Sequence, residues 1–206
     1  MNAKNISEQT KEKYNLSEDG GWMKLEEGDN KVRIVELNYA DYGSHYLPSK
    51  KKSYACIGKE KGCPLCEKGD KPSVRYITWV IDRMDGQFKR MEFGYSIAKQ
   101  LETFANNDDY GIDESGFPYD ITINRKGSGL DTEYTVLPSR KNSPLTEEEK
   151  EKIDELDNLH ELVEERKQDT IEEFDVDVVD VEDVDEEDIP VIEEDDDDIN
   201  MADIPY

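Results

Sequence analysis

Val74-Arg-Tyr-Ile-Thr-Trp-Val-Ile81, Met84-Asp-Gly86 and Gln87-Phe-Lys-Arg-Met-Glu-Phe-Gly-Tyr95 follow one another in the middle of the chain. The first stretch is β-branched or aromatic on both faces and reads as a buried strand. The third reads as a second strand, and the Asp-Gly pair between them predicts a hairpin. Ser96 then reads as a helix N-cap, with Ile97, Leu101, Phe104 and Ala105 on one helical face and Asn106 and Asn107 as its end. Downstream, Tyr119, Ile121 and Ile123 alternate with Asp120, Thr122 and Asn124, the pattern of a half-buried strand. Its expected partner is Thr132–Leu137, across a glycine-rich loop with Arg125 and Lys126 at its tip. Upstream, Lys31–Tyr39 is a further strand, rich in Val and Ile. About five strands and one short helix predict a mainly β domain, and a small OB-type barrel fits that inventory.

Working outward, the composition divides the 206 residues. Residues 1–20 are polar and read as a flexible N-terminal arm. Residues 21–142 read as the folded core, with an irregular Gly- and Pro-rich insert at about 40–73. Residues 143–168 read as an amphipathic helix: Ser143-Pro144 and Thr146-Glu-Glu-Glu149 both look like starts, and Ile153, Leu156, Leu159 and Val163 form one apolar stripe. Residues 169–206, dominated by Asp and Glu, are expected to be a disordered acidic tail. Charge follows the same division. Residues 1–142 carry 22 Lys and Arg against 23 Asp and Glu, a net of −1; residues 143–206 carry 4 against 29, a net of −25. The formal charge of −26 therefore describes the tail, and a nucleic-acid partner for the core is not excluded by it.

The insert holds His45, Cys56, Cys63 and Cys66, the last two in a Cys-x-x-Cys turn. Three thiolates and an imidazole within 22 residues point to one tetrahedral Zn²⁺. Four protein ligands would close the coordination sphere, which makes the ion structural and explains how a segment without regular structure is held. Two other readings stand beside it: Cys56 as a buried apolar residue, and Cys63/Cys66 as a redox pair. No apolar run opens the chain and none is long enough to span a membrane, so a cytoplasmic, reducing compartment is expected, with no membrane partner.

Cations and rings interleave through the core. Lys50, Lys51 and Lys52 precede Tyr54; Arg75 and Tyr76 precede Trp79 and Arg83; Lys89 and Arg90 precede Phe93. Cations that track phosphates, with flat rings that stack on unpaired bases, are what a single-strand binder needs. Strand aromatics also build cores, so both uses are expected among them. The chain ends on an acidic run and the apolar tip Asp203-Ile204-Pro205-Tyr206, the form of a partner-docking peptide.

These residues support a resemblance. Trp22-Met-Lys-Leu-Glu-Glu-Gly-Asp-Asn-Lys-Val-Arg-Ile-Val35, the His45/Cys56/Cys63/Cys66 set and Gly127-Ser-Gly-Leu-Asp-Thr-Glu-Tyr134 resemble the zinc-containing single-stranded DNA-binding proteins of T-even-type phages. The resemblance covers roughly residues 20–165. It implies an OB fold with a zinc subdomain beside a DNA cleft, zinc ligation by His45, Cys56, Cys63 and Cys66, and the Lys50–Lys52 cluster with Tyr54 near the cleft. It further implies a non-enzymatic protein that coats single strands, largely without sequence preference, during phage replication, recombination and repair. The last residues are similar to the Ile-Pro-Phe tip of bacterial single-strand binders, which implies recruitment of replication and recombination proteins. Cooperative self-association on DNA would be a family property, but the arm here, with Lys4, Lys11 and Lys13, lacks the family's compact basic cluster. The competing expectation is an RNA-binding or transcription accessory protein with an acidic interaction tail.

Overall fold

The computed structural model describes residues 21–112 and 116–176. The expected arm at 1–20 and the tail tip at Asp203–Tyr206 lie outside the described residues. The organising element is β5 (Ser73–Asp82). It pairs antiparallel with β6 (Phe88–Gly94) from Arg75↔Gly94 to Ile81↔Phe88, as the hairpin reading expects. The connection is wider than a two-residue turn: Asp82 N–H bonds the Gln87 carbonyl, Gly86 takes a positive φ, and the Lys89 ammonium closes the loop on Asp82 and Asp85.

The other edge of β5 is shared. β2 (Gly28–Ile34) pairs with its end, Ile34 opposite Val80, and β3 (Ala40–Leu47) pairs with its beginning, Ala40 opposite Ile77. The expected strand Lys31–Tyr39 therefore ends at Ile34. Thr78, at the fork, satisfies the departing chain by donating its hydroxyl to the Glu36 carbonyl at 2.7 Å. β7 (Tyr119–Lys126) lies on the far side of β2, and β8 (Glu133–Asn142) beyond it; β1 (Trp22–Met23) runs parallel along β6.

The segment expected to be irregular is in large part a hairpin. β3 and β4 (Lys52–Ala55) pair with His45 opposite Tyr54 and extend the sheet. Their buried positions are Ala40, Tyr42, Ser44, His45, Tyr54 and Ala55, a set without the Val/Ile alternation that marks a strand. Gly43 is required there, because a Cβ would stand 3.0 Å from both the Cys56 and Pro72 Cβ atoms.

The sheet is mixed and open: among the described residues no ladder joins β8 to β6. α2 (Tyr95–Ala105) stands in the gap and buries Ile97 and Leu101. Its Gln100 side chain donates to the Tyr134 carbonyl at 3.0 Å and accepts from the Val136 N–H at 2.9 Å, replacing a neighbouring strand at the β8 edge. Gly94, not Ser96, is the N-cap, and it caps without a side chain. Under α2 lies the main core, with Val32, Ile34, Val80, Met91, Phe93, Phe117, Ile121 and Ile123.

The C-terminal region forms two helices instead of one stripe. Thr146 starts α3 (Glu147–Ile153) with a full capping box to Glu149, whereas Ser143-Pro144 starts no helix. The chain turns at 154–158, and Asn158 caps α4 (Leu159–Phe174). α4 continues six residues past the expected boundary at 168, because Ile171 and Phe174 have apolar surface to cover. Leu159 and Val163 pack on Ala40, Tyr42, Ile77 and Trp79, on the sheet face opposite the main core. Full burial of two such side chains stabilises docking by roughly 1.5–3 kcal/mol each.

Candidate metal centre and nucleic-acid interface

The β3–β4 hairpin delivers His45 and, one residue past its end, Cys56. The following turn, shaped by Gly58 and Gly62 at positive φ, leads into α1 (Pro64–Glu67), which carries Cys66 with Cys63 as its N-cap. The four ligand atoms converge. His45 Nε2 lies 3.6 Å from Cys63 Sγ and 3.5 Å from Cys66 Sγ, Cys56 Sγ lies 3.5 Å from Cys66 Sγ, and all four lie within 4.8 Å of one another. A tetrahedron with bonds of about 2.0–2.3 Å has edges of about 3.5–3.8 Å, so these residues could hold one metal ion.

The surroundings suit that use. His45 is 1 % exposed, and its Nδ1 is 2.7 Å from the Asp70 carboxylate, which fixes the ring with Nε2 facing the thiols. Asp70 carries no signal of its own in the sequence; only its place four residues after Cys66 would have suggested it. Burial pushes the Cys66 thiol up to about 12, and the neighbouring Cys56 and Cys63 add to it. Burial also raises Cys56. Cys63 is lowered to about 7: burial opposes ionisation, but backbone N–H groups of Cys66, Leu65 and Ile57 outweigh it. One thiol thus ionises readily and the others resist, until a cation supplies the compensating charge. Leu65, Ile57 and Tyr54 pack beside the cluster, joined by Ile171 and Phe174 from the end of α4 and by Val176 just past it.

The sheet face beneath α4 gathers rings and cations from distant parts of the sequence. Trp22 from β1, Tyr42 from β3 and Trp79 from β5 lie there, and the outward Arg90 of β6 stands over Trp22 at 4.9 Å and Trp79 at 5.7 Å. Trp79, 8 % exposed, donates its indole N–H to the Asp157 carbonyl at 3.0 Å, at the entry to α4. Arg166 of α4 reaches down to the same rings. Its guanidinium lies over Trp22 at 4.7 Å and Tyr42 at 5.3 Å, and it bonds the Tyr42 hydroxyl and the Glu92 carboxylate. At the other end of α4, Glu173 pairs with Lys50 at 2.5 Å and Lys52 at 3.7 Å. Between β4 and α4 a cleft of about 270 Å³ remains, lined by Tyr42, Lys52, Ser53, Tyr54, Arg166 and Asp169.

The other residues singled out from the sequence are placed as follows. Phe93 is 2 % exposed in the main core, and Tyr76 stacks on it at 5.7 Å, on the face away from α4. Lys89 is buried between Asp82 and Asp85. Tyr54 is buried edge-on against Phe174. Arg83 is held by Asp120 and Glu149. Arg75 is half-buried beside Gly94. Arg125 and Lys126 belong to β7 and lie at the other end of the sheet, Arg125 bonding the Leu25 carbonyl. Lys51 is exposed at a positive φ. Three participants on the α4 face, Trp22, Tyr42 and Arg166, are not among the residues singled out from the sequence. Arg166 sits in a segment whose overall charge is acidic, which hid a single inward-pointing cation.

No protein-family model matches the chain. Over 66 residues, 32 % of the chain, it is 39 % identical to a probable ssDNA-binding protein of Escherichia phage T5, and the match spans 24 %, about a quarter, of that protein's length. No helix among the described residues is long and apolar enough to cross a membrane.

Proposed function

We propose that this chain is a non-enzymatic protein that binds and coats single-stranded DNA, and that the strand lies on the sheet face now covered by α4. The observation that carries the reading is how α4 meets that face. It places a planar guanidinium on Trp22 and Tyr42 and a carboxylate on Lys50 and Lys52. A single strand would make the same two kinds of contact, a flat base on a ring and a phosphate on a cation. The 39 % identity to a probable ssDNA-binding protein supports the same substrate.

In this reading β2, β5, β6, β7 and β8 are the five strands of an OB-type path, opened where α2 replaces the β6–β8 seam. The His45/Cys56/Cys63/Cys66 cluster holds one structural Zn²⁺; three soft thiolates and an imidazole in tetrahedral array suit that ion, and four protein ligands leave no position for a substrate. The likeness to the T-even-type phage proteins suggests work in phage replication, recombination and repair, within the host cytoplasm. Residues 21–142 form the binding core, 1–20 an arm, and the acidic residues after α4 a tail that recruits partner proteins through Asp203, Ile204, Pro205 and Tyr206.

The test is a titration of the full chain with oligo-dT, a matched duplex and oligo-U, followed by Trp22 and Trp79 fluorescence over a salt series. Oligo-dT is expected to quench the fluorescence and bind at least tenfold tighter than the duplex. Its log K should fall with log salt at about −0.7 per phosphate contacted. Equal affinity for the duplex would refute the reading. Preference for oligo-U would move it to an RNA-binding protein.

A further inference from the structure

Three cations converge on one carboxylate beside the α4 face. Arg33 of β2, 2 % exposed, lies on the same sheet face as Trp79, since its ladder partner is Ile81. Its Nε donates to Asp120 at 3.2 Å and one terminal nitrogen to the Phe117 carbonyl at 2.8 Å. Arg83 Nε donates to the same Asp120 oxygen at 3.0 Å, and Lys31 reaches the other at 3.2 Å. Asp120 is buried, and although burial opposes ionisation, the bonds from Arg83, Lys31 and Arg33 hold its carboxyl below the usual range. Three positive charges on one negative leave an excess of two. The second terminal nitrogen of Arg33 is buried with no hydrogen-bond partner among the described residues.

The only other anion contacting this cluster among the described residues comes from α3. Glu149 accepts from the Arg83 guanidinium at 2.6 Å while its other oxygen closes the Thr146 capping box. α3 buries no residue of its own, so this ion pair is a main tie between the helix and the sheet. A carboxylate delivered by a weakly docked helix onto a cluster with surplus positive charge occupies the position of an exchangeable anion.

We propose that Lys31, Arg33 and Arg83 form a phosphate-binding subsite for the bound single strand, and that Glu149 of α3 fills it when no strand is present. The proposal rests on the single-strand reading, and it extends the interface along the sheet from Trp79 to β7. The strand's phosphate displaces Glu149 from Arg83, gains the unpartnered nitrogen of Arg33, and frees α3. The two acidic helices then release the same face in sequence, α3 at the phosphate subsite and α4 at the rings.

The experiment uses the full chain and its Glu149→Gln and Arg83→Gln variants. Gln at 149 keeps the capping box, so the helix is retained while the charge is lost. Inorganic phosphate is titrated first, with the arginine Nε–H signals followed by NMR, and an oligo-dT second. Phosphate is expected to move the Arg33 and Arg83 signals in Glu149→Gln at several-fold lower concentration than in the parent. Glu149→Gln is expected to bind oligo-dT several-fold tighter, and Arg83→Gln to lose about 0.7 from the salt slope. Arginine signals that ignore phosphate in Glu149→Gln would overturn the subsite, and so would an unchanged slope in Arg83→Gln. If those results came with tight oligo-dT binding by the parent, the single-strand reading would stand without the subsite. Phosphate-responsive arginines in a chain that ignores oligo-dT would refute the single-strand reading instead.

Discussion

Cys63→Ser is expected to lower the melting temperature by about 10 °C or more and to reduce bound metal from one equivalent per chain to a small fraction. The size follows from what the centre holds together. The segment from Ile57 to Asp70 buries few side chains of its own, namely Ile57, Leu65 and the candidate ligand Cys63. A serine hydroxyl is a poor replacement for a thiolate, and structural zinc contributes roughly 10–16 kcal/mol to the folding of a peptide that lacks any other core. Here a sheet supports the site, so a smaller share, about 4 kcal/mol, is at stake; at about 2–4 °C per kcal/mol for a chain of this size that is the expected shift. The loss should spread to α4, because Ile171, Phe174 and Val176 pack on the same cluster. Metal analysis and thermal melting, repeated with a chelator on the parent, check it. A variant that keeps a full equivalent of metal and the parent's melting temperature would remove Cys63 from the ligand set.

The second large effect is on affinity. Leu159 and Val163 are the buried apolar residues through which α4 holds the aromatic face, at 1 % and 3 % exposure. Carboxylates in their place cannot be buried there unpaired, so Leu159→Asp/Val163→Asp favours the state in which α4 has left the sheet. If only that open state takes DNA, the apparent dissociation constant falls in proportion to the gain in open population. A gain of at least tenfold in oligo-dT affinity is expected, together with a steeper salt dependence as Lys50 and Lys52 exchange Glu173 for phosphates. Fluorescence titration of the double variant against the parent decides it, with circular dichroism and metal content to verify the fold. Unchanged or weaker binding by a folded variant would mean that the strand does not use this face.

How far the sequence could be read depended on the kind of signal each element carries. β5 and β6 announce themselves through Val, Ile and aromatic residues around an Asp-Gly pair, and β7 through strict alternation, and their observed bounds lie within one or two residues of the expected ones. β3 and β4 read as irregular because their buried positions are Ala, Ser, His and Tyr, residues that serve the His/Cys cluster and the close approach at Gly43 instead of apolar packing. The four candidate ligands were legible, since Cys-x-x-Cys with a nearby Cys and His has few other uses, and the structure brings all four together. The nucleic-acid list was less legible, for a physical reason: period and composition tell that a strand carries a ring, not which side of the sheet is later covered. Phe93 and Tyr76 point into the main core, Lys89 is spent on its own turn, and Trp79 shares its face with Trp22, 57 positions earlier in the chain. The end of α4 is set by tertiary contacts: Ile171 and Phe174 sit in an acidic stretch that would not hold a helix alone, and they are helical because Tyr54, Ile57 and Leu65 offer them an apolar surface.

Competition between α4 and a single strand for one face can be followed by amide hydrogen exchange of the full chain with and without saturating oligo-dT. Exchange is expected to accelerate along α4, from Leu162 to Thr170, as the helix leaves the sheet, while the β5 amides around Trp79 stay protected or become more so. Unchanged or increased protection of α4 in the DNA-bound protein would contradict it.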